Sequence, residues 1–175
     1  ECGASIDEIN VIRKHISLSK GGQMAKAAFP GQVINLMLSD VVGDRMDIIA
    51  SGPFVPDPST FSDAWNVLEK YELIKRSPKS ILDYIKAGIE GKVPETPKPG
   101  DKVFNRVINH IVASNIIALR ACKRKARSLG YNTIILSSMV EGETRDIARM
   151  HCAIAKEVIK TGNPIKVPAC IISGG

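Results

Sequence analysis

Apolar residues follow two spacings along this chain, and these spacings predict alternating helices and strands. Val33–Ser39, VINLMLS, is a continuous apolar run between turn residues, which is typical of a strand buried on both faces of a parallel sheet. The same reasoning predicts further strands at 107–114, 132–138 and 168–173. Segments with helical spacing or with helix-start and helix-stop residues lie at 6–17, 21–28, 60–71, 78–87, 115–129 and 144–160.

The order of these elements predicts the fold class. From residue 107 onward the pattern is strand, helix, strand, helix, strand, which requires right-handed crossovers between parallel strands. We therefore expect an α/β fold with a doubly wound, mostly parallel sheet and helices on both of its faces. The first helix also has its own start signal, because Ser5 and Glu8 have the spacing of a capping box.

The composition is that of a globular protein. Of the 175 residues, 44% are hydrophobic, which is enough for one well-formed core. No apolar run approaches the ~18–20 residues of a membrane span, and the first residues show no signal peptide, so we expect a cytoplasmic protein. The four cysteines are far apart and form no C-x-x-C pair, so we expect reduced packing thiols rather than zinc ligands or disulfides.

The net charge of +6 is compatible with nucleic acid and with anionic metabolites alike. Residues 120–127, RACKRKAR, hold five basic residues in eight, and a helix would place Arg120, Lys123, Arg124 and Arg127 on one face. We favour a solvated outer face over nucleic-acid binding, because such faces are common on crossover helices. The chain has only four Phe, three Tyr and one Trp, which argues against base-stacking platforms.

Polar and small residues follow each predicted strand at the point where it ends. In open α/β sheets, ligands bind beyond the carboxyl ends of the strands, so these residues are the first candidates for a binding site. In chain order they are Asp40 and Asp44, Ser114 and Asn115, Glu141 and Glu143, and Ser173, Gly174 and Gly175. Their convergence on one edge of the sheet is the main functional signal that the residues themselves carry.

The acidic and amide residues in this set allow two interpretations. Carboxylates suit Mg²⁺ coordination or activation of a substrate hydroxyl, since hard cations prefer oxygen ligands and an alcohol needs a base. Alternatively, the residues have structural roles. Asp40 and Asp44 would stabilise turns, and Asn115 would be a helix N-cap. Glu141 and Glu143 would favour the positive start of the helix that follows them. The pattern of residues leaves both interpretations open.

A second candidate region is Ile12–Gly22, IRKHISLSKGG. The basic residues at 13–15 fall at a helix end, where the helix dipole favours cations whatever their function. The following Lys20, Gly21 and Gly22 favour an anion site more strongly, because a glycine pair at a helix start leaves amide donors open to a phosphate or carboxylate. The chain contains neither G-x-x-x-x-G-K-[ST] nor G-x-G-x-x-G, so any nucleotide loop within it is unconventional.

His151 shares an apolar helical stripe with Ile147, Ile154 and Val158. A histidine can lie in such a stripe as a core residue if its ring nitrogens find hydrogen-bond partners. We therefore expect a hydrogen-bonded core histidine at this position rather than a catalyst.

Several long motifs in the chain resemble those of one enzyme family. They are, in order, IDEINVIRKHISLSKGG, LMLSDVVGDRMDIIASGPFVPDPSTF, ETPKPGD, IVASN and EGETRDIAR, and they span essentially the whole chain. The motifs are similar to those of the two-domain glycerate kinases that end in a MOFRL domain. Members of that family are commonly glycerate 2-kinases, and many relatives have carried the label hydroxypyruvate reductase.

The resemblance implies an ATP- and Mg²⁺-dependent kinase that phosphorylates D-glycerate, with 2-phosphoglycerate as the usual product. It implies a large Rossmann-like α/β domain that faces a smaller C-terminal domain across the active-site cleft. We expect residues 1–175 to be part of the large domain, without its N-terminal portion and without the C-terminal domain, because IISGG resembles the start of the family's S-G-G-E-T-T segment. Neither nucleic acid nor a membrane is expected as a partner, and the sequence leaves open whether the enzyme forms a homodimer.

The resemblance also implies roles for residues at matching motif positions. The anion site for the glycerate carboxylate or the ATP phosphates would be formed by Asn10, Arg13, Lys14, Lys20, Gly21 and Gly22, with Lys20 counted among the catalytic residues. Asp40 or Asp44 would hold Mg²⁺ or accept the proton of the substrate hydroxyl. Polar recognition would be completed by Ser114, Asn115, Glu141, Gly174 and Gly175.

Two other functions compete with the kinase. A hydroxypyruvate reductase that uses NAD(P)H is the first alternative, but its dinucleotide fingerprint is missing from this chain. A basic nucleic-acid-binding module is the second, and it leaves the paired acids at the strand ends unexplained. The sequence therefore favours the kinase.

Overall fold

The computed structural model describes residues 2–175. The helices in this range are α1 Ile6–His15, α2 Gln23–Ala28, α3 Phe61–Lys70, α4 Lys79–Ile89, α5 Asn115–Ser128 and α6 Thr144–Thr161. The strands are β1 Val33–Leu38, β2 Val107–Ala113, β3 Asn132–Ser137 and β4 Ala169–Ser173. Short 3₁₀ turns lie at Val42–Asp44, Ile49–Ser51 and Lys102–Phe104. Each element predicted from the sequence is present, and the predicted and observed ends agree within two residues.

The start of α1 shows why these predictions are accurate at the local level. The Ser5 hydroxyl accepts a hydrogen bond from the Glu8 amide at 3.3 Å, and the Glu8 carboxylate accepts one from the Ser5 amide at 2.9 Å. This is the predicted capping box, which satisfies amide donors that a helix start leaves unpaired. At the other end of the chain, α6 stops where Gly162 adopts a left-handed conformation with φ of 74°.

The strands of the described residues pair in two short parallel sheets, β1 with β2 and β3 with β4. Backbone hydrogen bonds join β1 and β2 at both ends. The Val33 amide donates to the Arg106 carbonyl, and the Ser39 amide donates to the Ala113 carbonyl, so both strands run in the same direction. In the second sheet Asn132 pairs with Ala169, and an irregularity interrupts the register between Ile135 and Ser137. The fold is therefore mixed α/β with short parallel sheets.

The chain divides into two compact units, and the first comprises the residues up to Met37 together with Arg45–His110. Its core contains Phe61, Ala64 and Leu68 of α3, which lie on one side of the helix at spacings of three and four residues, and Ile85 of α4. A Cβ atom on Gly88 would lie 2.3 Å from the Phe61 ring. Only glycine permits this close approach of α4 to α3.

The second unit comprises Leu38–Asp44 and Ile111–Gly175. Helices α5 and α6 pack against the β3–β4 sheet. Leu119 of α5 and Val158 of α6 are buried, whereas the basic face of α5 is mostly exposed, as the sequence predicts for a solvated face.

The cysteines only partly match the expectation of packing thiols. All four lie within the described residues and are free, so no disulfide forms among them. Cys2, Cys122 and Cys152 are exposed and Cys170 is half-buried, so the expectation that they pack in the interior is wrong for the first three. Between residues 2 and 175, no helix combines the length and the apolar character needed to cross a membrane.

Candidate functional site

Helix α1 has a buried polar face. Asn10, Lys14 and His15 are 2%, 4% and 2% exposed. Positions 10 and 14 are one helical turn apart and therefore lie on the same side of the helix. Polar groups that lose their contact with water need hydrogen-bond or charge partners within the protein.

Asp57 is the main partner of this face. Its side chain is fully buried, and Lys14 Nζ lies 3.4 Å from Oδ1. Oδ1 also accepts hydrogen bonds from the Ser59 hydroxyl at 2.7 Å and from the Ser59 amide at 3.1 Å, while Oδ2 accepts one from the Thr96 hydroxyl at 2.9 Å. Burial acts to raise the pKa of Asp57, but the Ser59 hydrogen bonds and the Lys14 charge outweigh it and hold the pKa below its ordinary value.

His15 completes the same arrangement. Its Nδ1 donates to the Val11 carbonyl at 2.8 Å, and its Nε2 lies 3.2 Å from Glu95 Oε2. Both ring nitrogens therefore face oxygen atoms, and the ring links α1 to the loop that follows α4. Burial acts to raise the pKa of Glu95, but hydrogen bonds from the Phe61 amide and Lys98 hold the pKa below its ordinary value.

We refer to Asn10, Lys14, His15, Ser51, Asp57 and Thr96 as the buried polar cluster. Within the described residues, no fully buried side-chain nitrogen or oxygen lacks a hydrogen-bond partner. The cluster joins α1 to the segment that precedes α3 and to the loop that follows α4. Within it, the Lys14 ammonium group faces the Asp57 carboxylate.

One member of the buried polar cluster, Ser51, lies in an unusual backbone turn. The Ser51 hydroxyl donates to Asn10 Oδ1 at 2.8 Å, in a buried position. Ala50, Ser51 and Gly52 have φ values of 52°, 62° and 61°, a left-handed conformation that residues with a Cβ atom rarely adopt. Lys20 Nζ donates to the Ala50 carbonyl at 3.1 Å. The turn therefore fixes the position of the Lys20 ammonium group.

Gly21 and Gly22 contact this turn through their backbones. Their amides donate to the carbonyls of Ser51 and Gly52 at 2.9 and 2.8 Å. The expectation that these amides are open to an anion is therefore wrong, because both already have backbone acceptors. Both glycines have positive φ, and a Cβ on Gly22 would lie 2.8 Å from the Phe104 ring. The glycine pair allows two backbone segments to approach closely.

The predicted cations of this unit differ in exposure. Lys14 is buried against Asp57, whereas Arg13 is exposed and reaches Asn10 Oδ1 at 3.4 Å. Lys20 is half-buried, with its ammonium group on the Ala50 carbonyl. Arg13 and Lys20 thus retain access to solvent, and their ligand roles stay predictions.

The second unit has a pocket of about 340 Å³ at the ends of β1 and β2. It brings together four predicted site residues, Asp40, Ser114, Asn115 and Gly175. The rest of its lining is formed by Leu38, Ser39, Ala113 and Ala118. Because β1 and β2 are parallel, their carboxyl ends meet at this pocket, which is the position where ligands bind open α/β sheets.

Asn115 connects this pocket to the ends of the other two strands. Its Nδ2 donates to the Ser138 carbonyl at 2.9 Å, and a Cβ on Gly174 would lie 2.3 Å from its Oδ1. The helix N-cap is Ser114, which makes no side-chain capping bond, so the alternative that Asn115 is the N-cap is wrong. Asn115 instead holds the loop after β3 and the backbone after β4.

Two predicted acidic residues of this unit do not line the pocket. Asp44 is half-buried at the end of a 3₁₀ turn with φ of 54°, and Glu141 is exposed in the loop after β3. Among residues 2–175, no group of three or more His, Cys, Asp or Glu side chains is arranged to hold a metal ion. Magnesium commonly uses only one or two carboxylates together with substrate phosphates, so the carboxylate of Asp40 fits that type of site.

Residues 1–86 match a family model described as a domain of unknown function, DUF4147. The DUF4147 match includes α1, α2, β1 and α3, and it therefore contains five of the six residues of the buried polar cluster.

Relatives and a solved structure extend the match beyond the DUF4147 segment. The chain is 42% identical over 173 residues to glycerate 2-kinase from Pyrococcus horikoshii, covering 99% of this chain and 38% of that protein. It is 39% identical over 174 residues to an Agrobacterium vitis protein provisionally named hydroxypyruvate reductase, covering 99% of this chain and 37% of that protein. A crystal structure of glycerate kinase (EC 2.7.1.31) from Thermotoga maritima matches with a TM-score of 0.79 and 40% identity, covering 99% of this chain and 39% of that one. The chain thus spans well under half the length of these relatives.

Sequence reasoning missed several residues that the structure brings to the buried face of α1. His15, Asp57, Glu95 and Thr96 were not predicted as site residues, although all lie within the motifs that carry the family resemblance. A signal was present in the sequence. Asp57 lies between two prolines, and Glu95 and Thr96 lie between two others, so the backbone at these polar residues is restricted. Their convergence on α1 was not visible, because it depends on contacts between distant segments.

Proposed function

We propose that this chain is part of an ATP- and Mg²⁺-dependent glycerate kinase that phosphorylates D-glycerate and releases 2-phosphoglycerate. The observation that carries the proposal is the agreement over 99% of the chain, at 42% identity, with a protein named glycerate 2-kinase. The structural match to a glycerate kinase at a TM-score of 0.79 supports the same reaction class.

We also propose how the two units relate to the complete protein. Because the relatives are more than twice as long, the strands described here are part of a larger, doubly wound Rossmann-like domain. A smaller C-terminal domain provides the opposite side of the active site. Parallel strands are almost always covered on both faces, which supports further elements around β1–β2 and β3–β4 in the complete protein.

Within the second unit, we assign substrate recognition to the strand-end pocket. Asp40, Ser114, Asn115, Gly174 and Gly175 lie at or beside it, and they offer carboxylate, hydroxyl, amide and backbone groups. Asp40 either holds Mg²⁺ or accepts the proton of the attacking hydroxyl. Asp44 and Glu141 lie in adjoining loops and are assigned supporting contacts.

Magnesium would supply charge neutralisation at the phosphates when it is bound. The protein's own contribution is to position the reactants and to present cations, because phosphoryl transfer needs little covalent chemistry from the enzyme. An exposed Asp40 carboxylate at a strand end fits a metal held mainly by substrate phosphates and water.

Within the first unit, we assign anion binding to Lys20 and Arg13. Lys20 is the better placed, because its ammonium group rests on the Ala50 carbonyl and the turn behind it is fixed by the Ser51–Asn10 hydrogen bond. Asn10, Lys14, Gly21 and Gly22 then act by holding this turn rather than by contacting the ligand. This assignment replaces the ligand-binding role expected for Lys14, because its ammonium group is paired with the Asp57 carboxylate.

The reaction class is tested with the complete polypeptide that carries this chain. Release of ADP is measured with ATP and Mg²⁺, in the presence and absence of D-glycerate. Glycerate-dependent ADP release supports the kinase. Release that is the same without glycerate, or no release at all, contradicts it.

Hydroxypyruvate reductase is retained as a second candidate because of one observation, the name of the Agrobacterium vitis relative at 39% identity. An NAD(P)H-dependent reductase needs a dinucleotide site, and the G-x-G-x-x-G fingerprint is missing from this chain. Loss of NADH or NADPH absorbance on addition of hydroxypyruvate would support this candidate over the kinase.

A further inference from the structure

His151 and Ser173 form a hydrogen-bonded pair at the end of the β3–β4 sheet. Ser173 is the last residue of β4, and its Oγ lies 2.7 Å from His151 Nε2. The other ring nitrogen, Nδ1, lies 2.9 Å from the carbonyl oxygen of Ile147, one turn earlier in α6. Both side chains are half-buried.

These contacts determine where the protons lie. A carbonyl oxygen can only accept a hydrogen bond, so His151 Nδ1 carries a proton and donates it to Ile147. In the neutral ring, Nε2 is then the unprotonated nitrogen and accepts the hydroxyl proton of Ser173. The Ser173 oxygen is left with lone pairs and no free donor.

Ser173 stands at the position where a ligand is expected. It ends a parallel strand, and it directly precedes Gly174 and Gly175. Gly175 lines the strand-end pocket and Gly174 lies against Asn115. The carboxyl end of a parallel strand is the usual location of ligand-contacting groups in α/β proteins.

We infer that His151 is a positioning residue: it orients the Ser173 hydroxyl so that Ser173 accepts a hydrogen bond from a hydroxyl or amino group of a bound substrate. This inference rests on the proposed kinase function for its activity test. Both ring nitrogens of His151 are hydrogen-bonded, as the sequence predicts, and the inference adds a positioning role to that expectation.

The activity test is a double-mutant cycle in the complete polypeptide. His151→Leu removes the acceptor and retains an apolar side chain on the α6 stripe, while Ser173→Ala removes the hydroxyl. Each single variant is expected to lower kcat/KM by about 3- to 10-fold, the effect of one hydrogen bond. The double variant is expected to be no slower than Ser173→Ala alone, because His151 acts only through Ser173.

His151→Gln is the matched conservative variant, because its side-chain oxygen can accept the Ser173 proton. It is expected to restore at least half of the activity that His151→Leu loses. A packing role would give another result: similar losses for Leu and Gln, or losses for His151→Leu and Ser173→Ala that multiply in the double variant. Either of these results overturns the inference.

A second measurement separates this inference from the kinase proposal. Nitrogen-15 chemical shifts of the His151 ring, recorded on the complete protein at neutral pH, report which nitrogen is protonated. The proton is expected on Nδ1. A ring protonated on Nε2 overturns the inference even if the protein phosphorylates glycerate. If Nδ1 is protonated but no glycerate is phosphorylated, the kinase proposal fails while the Ser173 orientation stands.

Discussion

Lys14 Nζ lies 3.4 Å from Asp57 Oδ1, and the two side chains are 5% and 0% exposed. Both groups have lost their hydration, which costs several kcal/mol per ion unless protein partners replace the water. Ser59 and Thr96 supply such partners to Asp57. This pair therefore joins α1 to the segment that precedes α3 and to the loop that follows α4.

Replacing Lys14 tests that role. Lys14→Met keeps the length of the side chain but leaves the Asp57 carboxylate buried without its cation. We expect a loss of about 3–5 kcal/mol in the free energy of unfolding, as found when one partner of a buried pair is removed. Denaturant unfolding of the complete protein measures it, and the addition of Asp57→Asn is expected to recover part of the loss.

An exposed ion pair provides the control for this experiment. Arg149 Nη1 lies 3.1 Å from Asp146 Oδ1, with side chains 74% and 69% exposed. Arg149→Met is expected to cost no more than about 1 kcal/mol, because water screens an exposed pair. Equal losses for Lys14→Met and Arg149→Met would show that Lys14 is not buried as described.

The lowered pKa of Asp57 makes stability depend on pH in a definite direction. A carboxyl group with a lower pKa in the folded state adds stability above its unfolded pKa, about 3.9, and loses it as pH falls through the folded value. Glu8 acts in the same direction, because hydrogen bonds from Lys70 and Tyr71 lower its pKa to about 2. We expect the free energy of unfolding to fall below about pH 4.

Asp57→Asn is expected to be less stable at neutral pH and to show a shallower fall in acid, because one of the titrating groups is gone. The comparison uses urea unfolding at a series of pH values between neutral and acid. An acid fall of the same steepness in both proteins would mean that Asp57 does not titrate with folding.

The close contact of Gly88 with Phe61 predicts an unusual glycine substitution. Alanine normally favours a helix over glycine by about 1 kcal/mol. In Gly88→Ala, however, the new Cβ would lie 2.3 Å from the Phe61 ring, and we expect net destabilisation. Overpacking of this kind commonly costs about 1–3 kcal/mol. The measurement is thermal or denaturant unfolding, and a smaller cost in a Phe61→Leu background would confirm the cause; net stabilisation by Gly88→Ala would contradict it.

The elements of this fold were predictable because their signals are local. The Ser5–Glu8 capping box and the apolar run at Val33–Ser39 each lie within a few residues. The buried polar cluster was not predictable in the same way, because His15 meets Glu95 across 80 residues of chain. The basic residues at the end of α1 are equally compatible with an anion site and with a buried ion pair. Which of these forms depends on whether a carboxylate from elsewhere in the chain reaches them.

Asp40 is the carboxylate that the strand-end pocket presents. Asp40→Asn keeps the size of the side chain and removes its charge, so we expect kcat to fall by about 10²–10⁴-fold if Asp40 accepts the substrate proton. Asp83→Asn, on the exposed side of α4, is the matched control and should leave kcat unchanged. Near-normal turnover in Asp40→Asn would remove this residue from the proposed site.

The most direct measurement of the central proposal identifies the product. The complete polypeptide is incubated with D-glycerate, ATP and Mg²⁺, and the mixture is coupled to enolase without phosphoglycerate mutase. An immediate enolase signal, lost when D-glycerate is omitted, is the predicted result because enolase acts on 2-phosphoglycerate. A signal that appears only after phosphoglycerate mutase is added would contradict the proposed position of phosphorylation, and no signal under either condition would contradict the kinase itself.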